Sequence, residues 1–264
     1  MQILKGKTSR PRKVLLYGTH GVGKTTWASG QGTLILDVEG GCGDIGCDRT
    51  PVLKTLPDFT TALMEIDGVS GYQWIAIDTV DWLESLIHAD VAAKAGKETI
   101  ADIPFGQGYV SAVKYWSYIL TSLNNLATKN NLGVILLSHA KVAQVKPPDG
   151  DTYDRYEPDT HKSSSSLLQE WCDEVFFATY KVDIIPKEEG FNKVRNRALG
   201  GTKRVIYTSE AATHLAKHRI EMPATLPMEF RAYLGCIQAA YATTQTIGNI
   251  AGLVVTEGSS KQKE

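Results

Sequence analysis

Four short stretches of the chain are apolar at nearly every position: Lys13–Tyr17 (KVLLY), Thr33–Val38 (TLILDV), Trp74–Ile77 (WIAI) and Gly133–Leu137 (GVILL). A strand with one wet face alternates apolar and polar residues, whereas a strand without alternation needs cover on both faces. Between these runs, Thr79–Ala95 and Val110–Thr128 repeat their apolar residues at intervals of three and four, the period of an amphipathic helix. Strands apolar throughout and separated by such helices predict an α/β fold: a mainly parallel sheet with helices on each side. The first run ends in glycine, and GVGKTTWAS continues from it as a helix.

After His139 the pattern changes. Lys141–Ser166 is rich in Pro, Asp, Gly, Tyr and Ser with little periodicity, and predicts a long functional loop. Shorter β-like runs at Glu174–Tyr180, Arg204–Thr208 and His214–Ile220 predict a small antiparallel extension of the sheet. A last helix is expected over Pro227–Tyr241, followed by a polar tail, Glu257–Glu264. The chain therefore divides into a core over 1–225 and a C-terminal helix and tail over 226–264. No internal repeat interrupts this order.

Composition narrows the class. Apolar residues make up 42% and charged residues 22% of the chain, ordinary values that exclude collagen-like, disordered and disulfide-scaffold readings. Met1–Lys13 holds five basic residues and no apolar run, unlike a secretory leader. The longest apolar stretches fall far short of the roughly 20 residues that a bilayer crossing needs, so a soluble, cytoplasmic protein is expected. Its four cysteines would stay reduced there, and Cys42 and Cys47 in GGCGDIGCD read as thiols in a tight turn rather than a metal pair. A net charge of −1 provides no overall pull toward nucleic acid, so any such surface must be local. Two segments qualify: Lys5, Lys7, Arg10, Arg12 and Lys13, and the run 187–204 with Lys187, Lys193, Arg195, Arg197, Lys203 and Arg204 against Glu188 and Glu189.

The chemistry concentrates in one motif. Gly18, Thr19, His20, Gly21, Val22, Gly23, Lys24 and Thr25 match the phosphate-loop pattern G-x-x-x-x-G-K-[ST] at every required position, with Thr26 next in line. Glycines let consecutive N–H groups curl around phosphate oxygens, Lys24 reaches the β- and γ-phosphates, and Thr25 offers its hydroxyl to magnesium. ATP and Mg2+ are the implied ligands. Asp78 closes the strand WIAI at the sheet edge where open α/β folds bind ligands, and so fits the acid that orients the metal. Glu39 follows the second strand; if that strand neighbours the phosphate-loop strand, its carboxylate faces the γ-phosphate and can polarise water. Asp37 is its competitor.

The order of phosphate loop, LILDVEGG, WIAIDTV and VILLSHAK resembles the RecA-type recombinase ATPase core, and more narrowly the short bacteriophage ATPases of single-strand annealing and recombination. The resemblance covers roughly Lys13 to Pro223. It implies that Glu39 is the catalytic acid and that His139, where the family usually has Gln, senses the γ-phosphate. It maps the family's DNA loop onto Lys141–Ser166, where Lys141, Lys146, Arg155 and Lys162 would meet phosphates and Tyr153 and Tyr156 would stack on bases, among a larger number of acids. Lys193, Arg195 and Arg197 would extend that surface. AKHRIEMP resembles the family's basic strand motif, which implies that Lys217 and Arg219, alternate residues of one strand face, complete the ATP site of a neighbouring subunit. The implied protein is an ATP-hydrolysing, single-stranded-DNA-binding homo-oligomer, ring or filament, in the host cytoplasm if phage-encoded, with a single-strand-binding protein as a possible partner and no membrane. Two rivals share the phosphate loop: a small-molecule or nucleoside kinase, for which 187–204 would be the lid, and an ATP-switched DNA-binding or packaging partner.

Overall fold

The computed structural model describes residues 8–30, 32–68, 70–189 and 193–242, with the backbone alone over 182–189 and 193–200. Lys5, Lys7 and the expected tail Glu257–Glu264 lie outside the described residues. The strands are β1 (Lys13–Gly18), β2 (Thr33–Asp37), β3 (Asp48–Arg49), β4 (Trp74–Asp78), β5 (Gly133–Val145), β6 (Tyr153–Pro158), β7 (Glu174–Glu189), β8 (Lys193–Tyr207) and β9 (Thr225–Pro227). The helices are α1 (Lys24–Ala28), α2 (Leu56–Glu65), α3 (Val80–Lys94), α4 (Gln107–Asn130) and α5 (Lys162–Trp171), and 230–242 is helical as well.

The strands lie in the order β3-β2-β4-β5-β1-β7-β8-β9. All neighbours from β3 to β7 run parallel, and β8 and β9 add antiparallel strands at the far side. The expected architecture, a mainly parallel, helix-flanked P-loop sheet with a small antiparallel extension, is therefore the one observed. Its apolar runs are buried on both faces because successive side chains enter different cores. Leu15, Tyr17, Ile75, Ile77, Val134 and Leu136 pack with α2, α3, α4 and α5; Val14, Leu16, Ala76, Ile135 and Leu137 pack with Trp27 of α1 and with Phe230 and Tyr233 of the last helix. Gly133 lets Trp74 lie flat on the start of β5, since a Cβ there would come within 2.2 Å of the indole.

Three expectations need correction. Lys141–Ser166 is not one loop: β5 runs on to Val145, turns through 146–152, returns antiparallel as β6, and α5 follows. Its sequence does alternate, KVAQV against YDRYEP, so a two-stranded ribbon satisfies the backbone that a bare loop would leave to water. His214–Ile220 is not a regular strand but a turn held by isolated bridges, Tyr156 to His214 and Val175 to Lys217. Finally, β2 does not neighbour β1, because β4 and β5 lie between them.

Candidate nucleotide site and cationic hairpin

The phosphate loop leaves β1 at Gly18, where a Cβ would meet the Ala178 carbonyl oxygen at 2.2 Å, so the first motif glycine is required by strand packing as well as by chemistry. Gly21 and Gly23 take positive φ angles of 69° and 95°, a region open to glycine at little cost, and turn the chain into α1. Lys24 is buried, and its ammonium donates to the carbonyls of Gly18 (3.2 Å) and Thr19 (3.3 Å). Burial lowers its pKa, against the pull of Asp81, Glu39 and Asp78. Thr25 donates its hydroxyl to Asp78 Oδ2 at 2.7 Å. Burial raises the Asp78 pKa, while the bonds from Thr25 and from the Cys42 thiol, at 3.5 Å, hold it down.

Glu39 reaches the same edge by a different route from the one expected. The chain leaving β2 folds over the end of β4, where Val38 N–H and Glu39 N–H both donate to the Asp78 carbonyl (2.8 and 3.0 Å). That turn carries the Glu39 carboxylate to within 3.7 Å of His139 Nε2. Burial raises the Glu39 pKa, with Asp78 and Asp81 adding to it and His139 and Lys24 opposing it. Asp37 is taken up structurally, accepting the Gly40 N–H at 2.7 Å.

His139 closes the parallel part of β5 opposite Gly18 and is held at three points. Its backbone N–H donates to Asp81 Oδ1 (2.9 Å), its Nδ1 lies 2.8 Å from Asp81 Oδ2, and its ring stacks on His20 at 4.1 Å. The bond to Asp81 raises the His139 pKa. For Asp81 burial acts upward, but the side-chain and backbone bonds from His139 outweigh it and the pKa falls. Asp81 is absent from the sequence reading, although the spacing in Asp78-Thr-Val-Asp81 puts a second acid in the first turn of α3, on the ligand edge. Cys42, expected as a turn thiol, also reaches this edge through its contact with Asp78.

The other flank of the loop carries two contacts with no motif to announce them. Tyr180 donates its hydroxyl to the Gly21 carbonyl (2.9 Å), and Arg204 Nη1 donates to the Val22 carbonyl (3.3 Å). A Cβ on Gly23 would stand 2.5 Å from that guanidinium nitrogen. Thr26 is exposed on this side.

Residues 10–220 match the family pattern described as an AAA domain. The chain belongs to the AAA domain family. The match spans the phosphate loop and every acid just described, and identifies a P-loop ATPase-type core. Among solved structures, the crystal structure of the RadB recombinase is similar at 15% identity over 84% of this chain and 89% of that one, with a TM-score of 0.44. No curated protein matches. Among the described residues no helix is long and apolar enough to cross a membrane.

Within this AAA domain Lys217 and Arg219, expected to act on a neighbouring subunit, lie away from this chain's own phosphate loop. Lys217 pairs its backbone with Val175, and Arg219 Nε lies 3.6 Å from Asp173 at the start of β7, the opposite end of the sheet from Gly18. The hairpin and the start of α5, by contrast, gather their cations: Lys141, Lys146 and Arg155 of the hairpin and Lys162 of α5 line one polar cavity of about 480 Å³ with Gln144, Thr160 and Ser165. Among the described residues all but Lys146 and Lys162 have acidic partners, Arg155 with Glu157 (2.7 Å) and Glu210 (3.3 Å), Lys141 with Asp159 (3.7 Å). The two tyrosines separate: Tyr153 shares the cavity-side periodicity of Arg155, whereas Tyr156 stacks on Phe177 at 4.9 Å, so one of its ring faces is already occupied. Lys193, Arg195 and Arg197 fall on β8, opposite Glu189, Lys187 and Ile185 of β7; their side chains lie outside the described residues.

Proposed function

We propose that the chain hydrolyses ATP at the phosphate loop and binds single-stranded DNA, acting as a recombination or annealing protein of phage type in the cytoplasm of a bacterial host. The observation that carries this reading is the 2.7 Å contact of Thr25 and Asp78 beside a buried Lys24, with Glu39, Asp81 and His139 ranged along the same strand ends. A hydroxyl and a carboxylate are hard oxygen donors of the kind magnesium prefers, so this pair fits the ion, which when bound would neutralise phosphate charge. Lys24 turns its ammonium from the loop carbonyls to the β- and γ-phosphates. Glu39, its pKa raised by burial, takes the proton of the attacking water. His139 keeps Nδ1 on Asp81 and donates from Nε2, to the γ-phosphate or to Glu39.

His139 and Lys141 are two residues apart on one uninterrupted strand, which supports a mechanical link between phosphate and hairpin. The hairpin cations then exchange their acids for DNA phosphates, with Lys193, Arg195 and Arg197 extending the surface. Lys217 and Arg219 act on the ATP of an adjoining copy in a ring or filament, and a single-strand-binding protein is a natural companion. The test is ATP turnover with and without single-stranded DNA. Stimulation by DNA is expected; turnover indifferent to DNA but raised by a small acceptor would instead identify a kinase.

A further inference from the structure

Two successive peptide groups of the phosphate loop are gripped from outside by strands β7 and β8. Tyr180 donates its hydroxyl to the Gly21 carbonyl at 2.9 Å, and Arg204 Nη1 donates to the Val22 carbonyl at 3.3 Å. We infer that Tyr180 and Arg204 are positioning residues for phosphate binding: by holding these two carbonyls outward, they aim the N–H groups of Val22 and Gly23 at the phosphates. The inference rests on the phosphate-loop reading and extends it to two residues outside the motif.

The strand period explains why these two side chains reach the loop. Alternate residues of a strand share a face, and residues directly opposite each other across an antiparallel pair share it too. Ala178 stands opposite Ile206, and Tyr180 opposite Arg204. Phe176, Ala178 and Ile206 are buried with Val22, Trp27 and Ala28 beneath α1. One step further along the same face, Tyr180 and Arg204 emerge from that core and meet the loop that precedes the helix. The Ala178 carbonyl accepts the Thr19 N–H at 3.3 Å, so the loop starts along this same edge. Register shifts between Tyr180 and Val182, and the regular alternation stops with this pair.

A trans peptide is planar, with its carbonyl and the N–H of the next residue on opposite sides. A donor outside the loop on the Gly21 carbonyl therefore turns the Val22 N–H inward, and one on the Val22 carbonyl does the same for Gly23. Each of the two peptides adjoins a glycine of positive φ, Gly21 at 69° or Gly23 at 95°, where rotation meets little steric resistance. Without the outer donors, either peptide is free to turn its carbonyl oxygen toward the phosphates and repel them. Inside the loop the polar contacts are long. Val22 N–H meets the Thr19 carbonyl at 3.4 Å, and Lys24 meets the carbonyls of Gly18 and Thr19 at 3.2 and 3.3 Å. Such bonds are readily exchanged for phosphate oxygens.

The experiment measures affinity for ATP and for inorganic tripolyphosphate, both with magnesium, by calorimetry, and kcat at saturating ATP. Its variants are Tyr180→Phe, Arg204→Ala and Arg204→Lys, with thermal melting as a check on the fold. Tyr180→Phe and Arg204→Ala should each weaken both ligands about tenfold while kcat stays within about twofold of wild type and Tm is unchanged. Arg204→Lys keeps a donor and should recover most of the affinity. Unchanged affinity in either Tyr180→Phe or Arg204→Ala would overturn the inference. So would loss of ATP alone with tripolyphosphate unaffected, the mark of a contact with the nucleoside, or weaker binding that follows a lowered Tm and is not rescued by Arg204→Lys. Failure of wild-type protein to bind either ligand would overturn the phosphate-loop reading itself, a result distinct from these.

Discussion

The phosphate-loop edge and the β5–β6 hairpin are both cationic regions neutralised by nearby acids, yet they differ in how the charges are held. At the loop, Lys24 and Asp78 are buried and each acid has a task beyond neutralisation: Asp78 meets Thr25, Asp81 orients His139, and Glu39 faces His139 Nε2. On the hairpin, Lys141 and Arg155 pair with Asp159, Glu157 and Glu210 near the surface, where such a pair contributes only about 0–1 kcal/mol. The first arrangement is preorganised for one ligand. The second is cheap to rearrange, which suits a sequence-indifferent polyanion.

Breaking the first region should have the largest effect. Lys24→Ala should abolish phosphate release, a loss of at least about a hundredfold, and unchanged turnover would mean the loop holds no phosphate. Glu39→Gln should slow turnover by roughly a hundredfold while nucleotide affinity in calorimetry stays near wild type; loss of affinity instead would make Glu39 a binding group.

The Asp81–His139 pair sharpens the contrast through pH. His139, raised above its ordinary 6.5, contributes stability that is fully present below that value and is lost as pH rises through the raised one. Asp81, lowered below 3.8, contributes stability that is present above 3.8 and is lost as pH falls through the lowered one. The advantage of wild type over Asp81→Asn in urea denaturation should thus be about 1–3 kcal/mol between 3.8 and 6.5 and shrink as pH rises through the raised His139 value. A gap that widens as pH rises above 6.5 would contradict the assignment.

At the hairpin cavity, Lys141→Ala on β5 with Lys162→Ala on α5 should weaken binding of single-stranded DNA. The slope of log affinity against log salt should become shallower by about 0.7 for each lysine, and an unchanged slope would remove them from the interface. The smallest expected signal comes from mixing Arg219→Ala with Glu39→Gln. Partial recovery of turnover supports a site shared between subunits; none at any ratio favours a self-contained one.

What the chain declares by itself is local. The strand at Lys13–Tyr17, the phosphate loop and the acid closing Trp74–Ile77 are legible because backbone freedom, apolar runs and phosphate chemistry each act over a few residues. The helices α3 and α4 are legible for the same reason, through their period. Strand order is not local, and so the route of Glu39 over the end of β4, the clamp of Asp81 on His139 and the reach of Tyr180 and Arg204 across to the loop emerge only once the sheet is assembled. The hairpin lies between the two cases: its alternation is present in KVAQV and YDRYEP, but intervening Pro, Asp and Gly hide it until pairing across the strands satisfies the backbone. Residues distant in the chain come together according to which strands share hydrogen bonds, and apolar period carries no record of that choice.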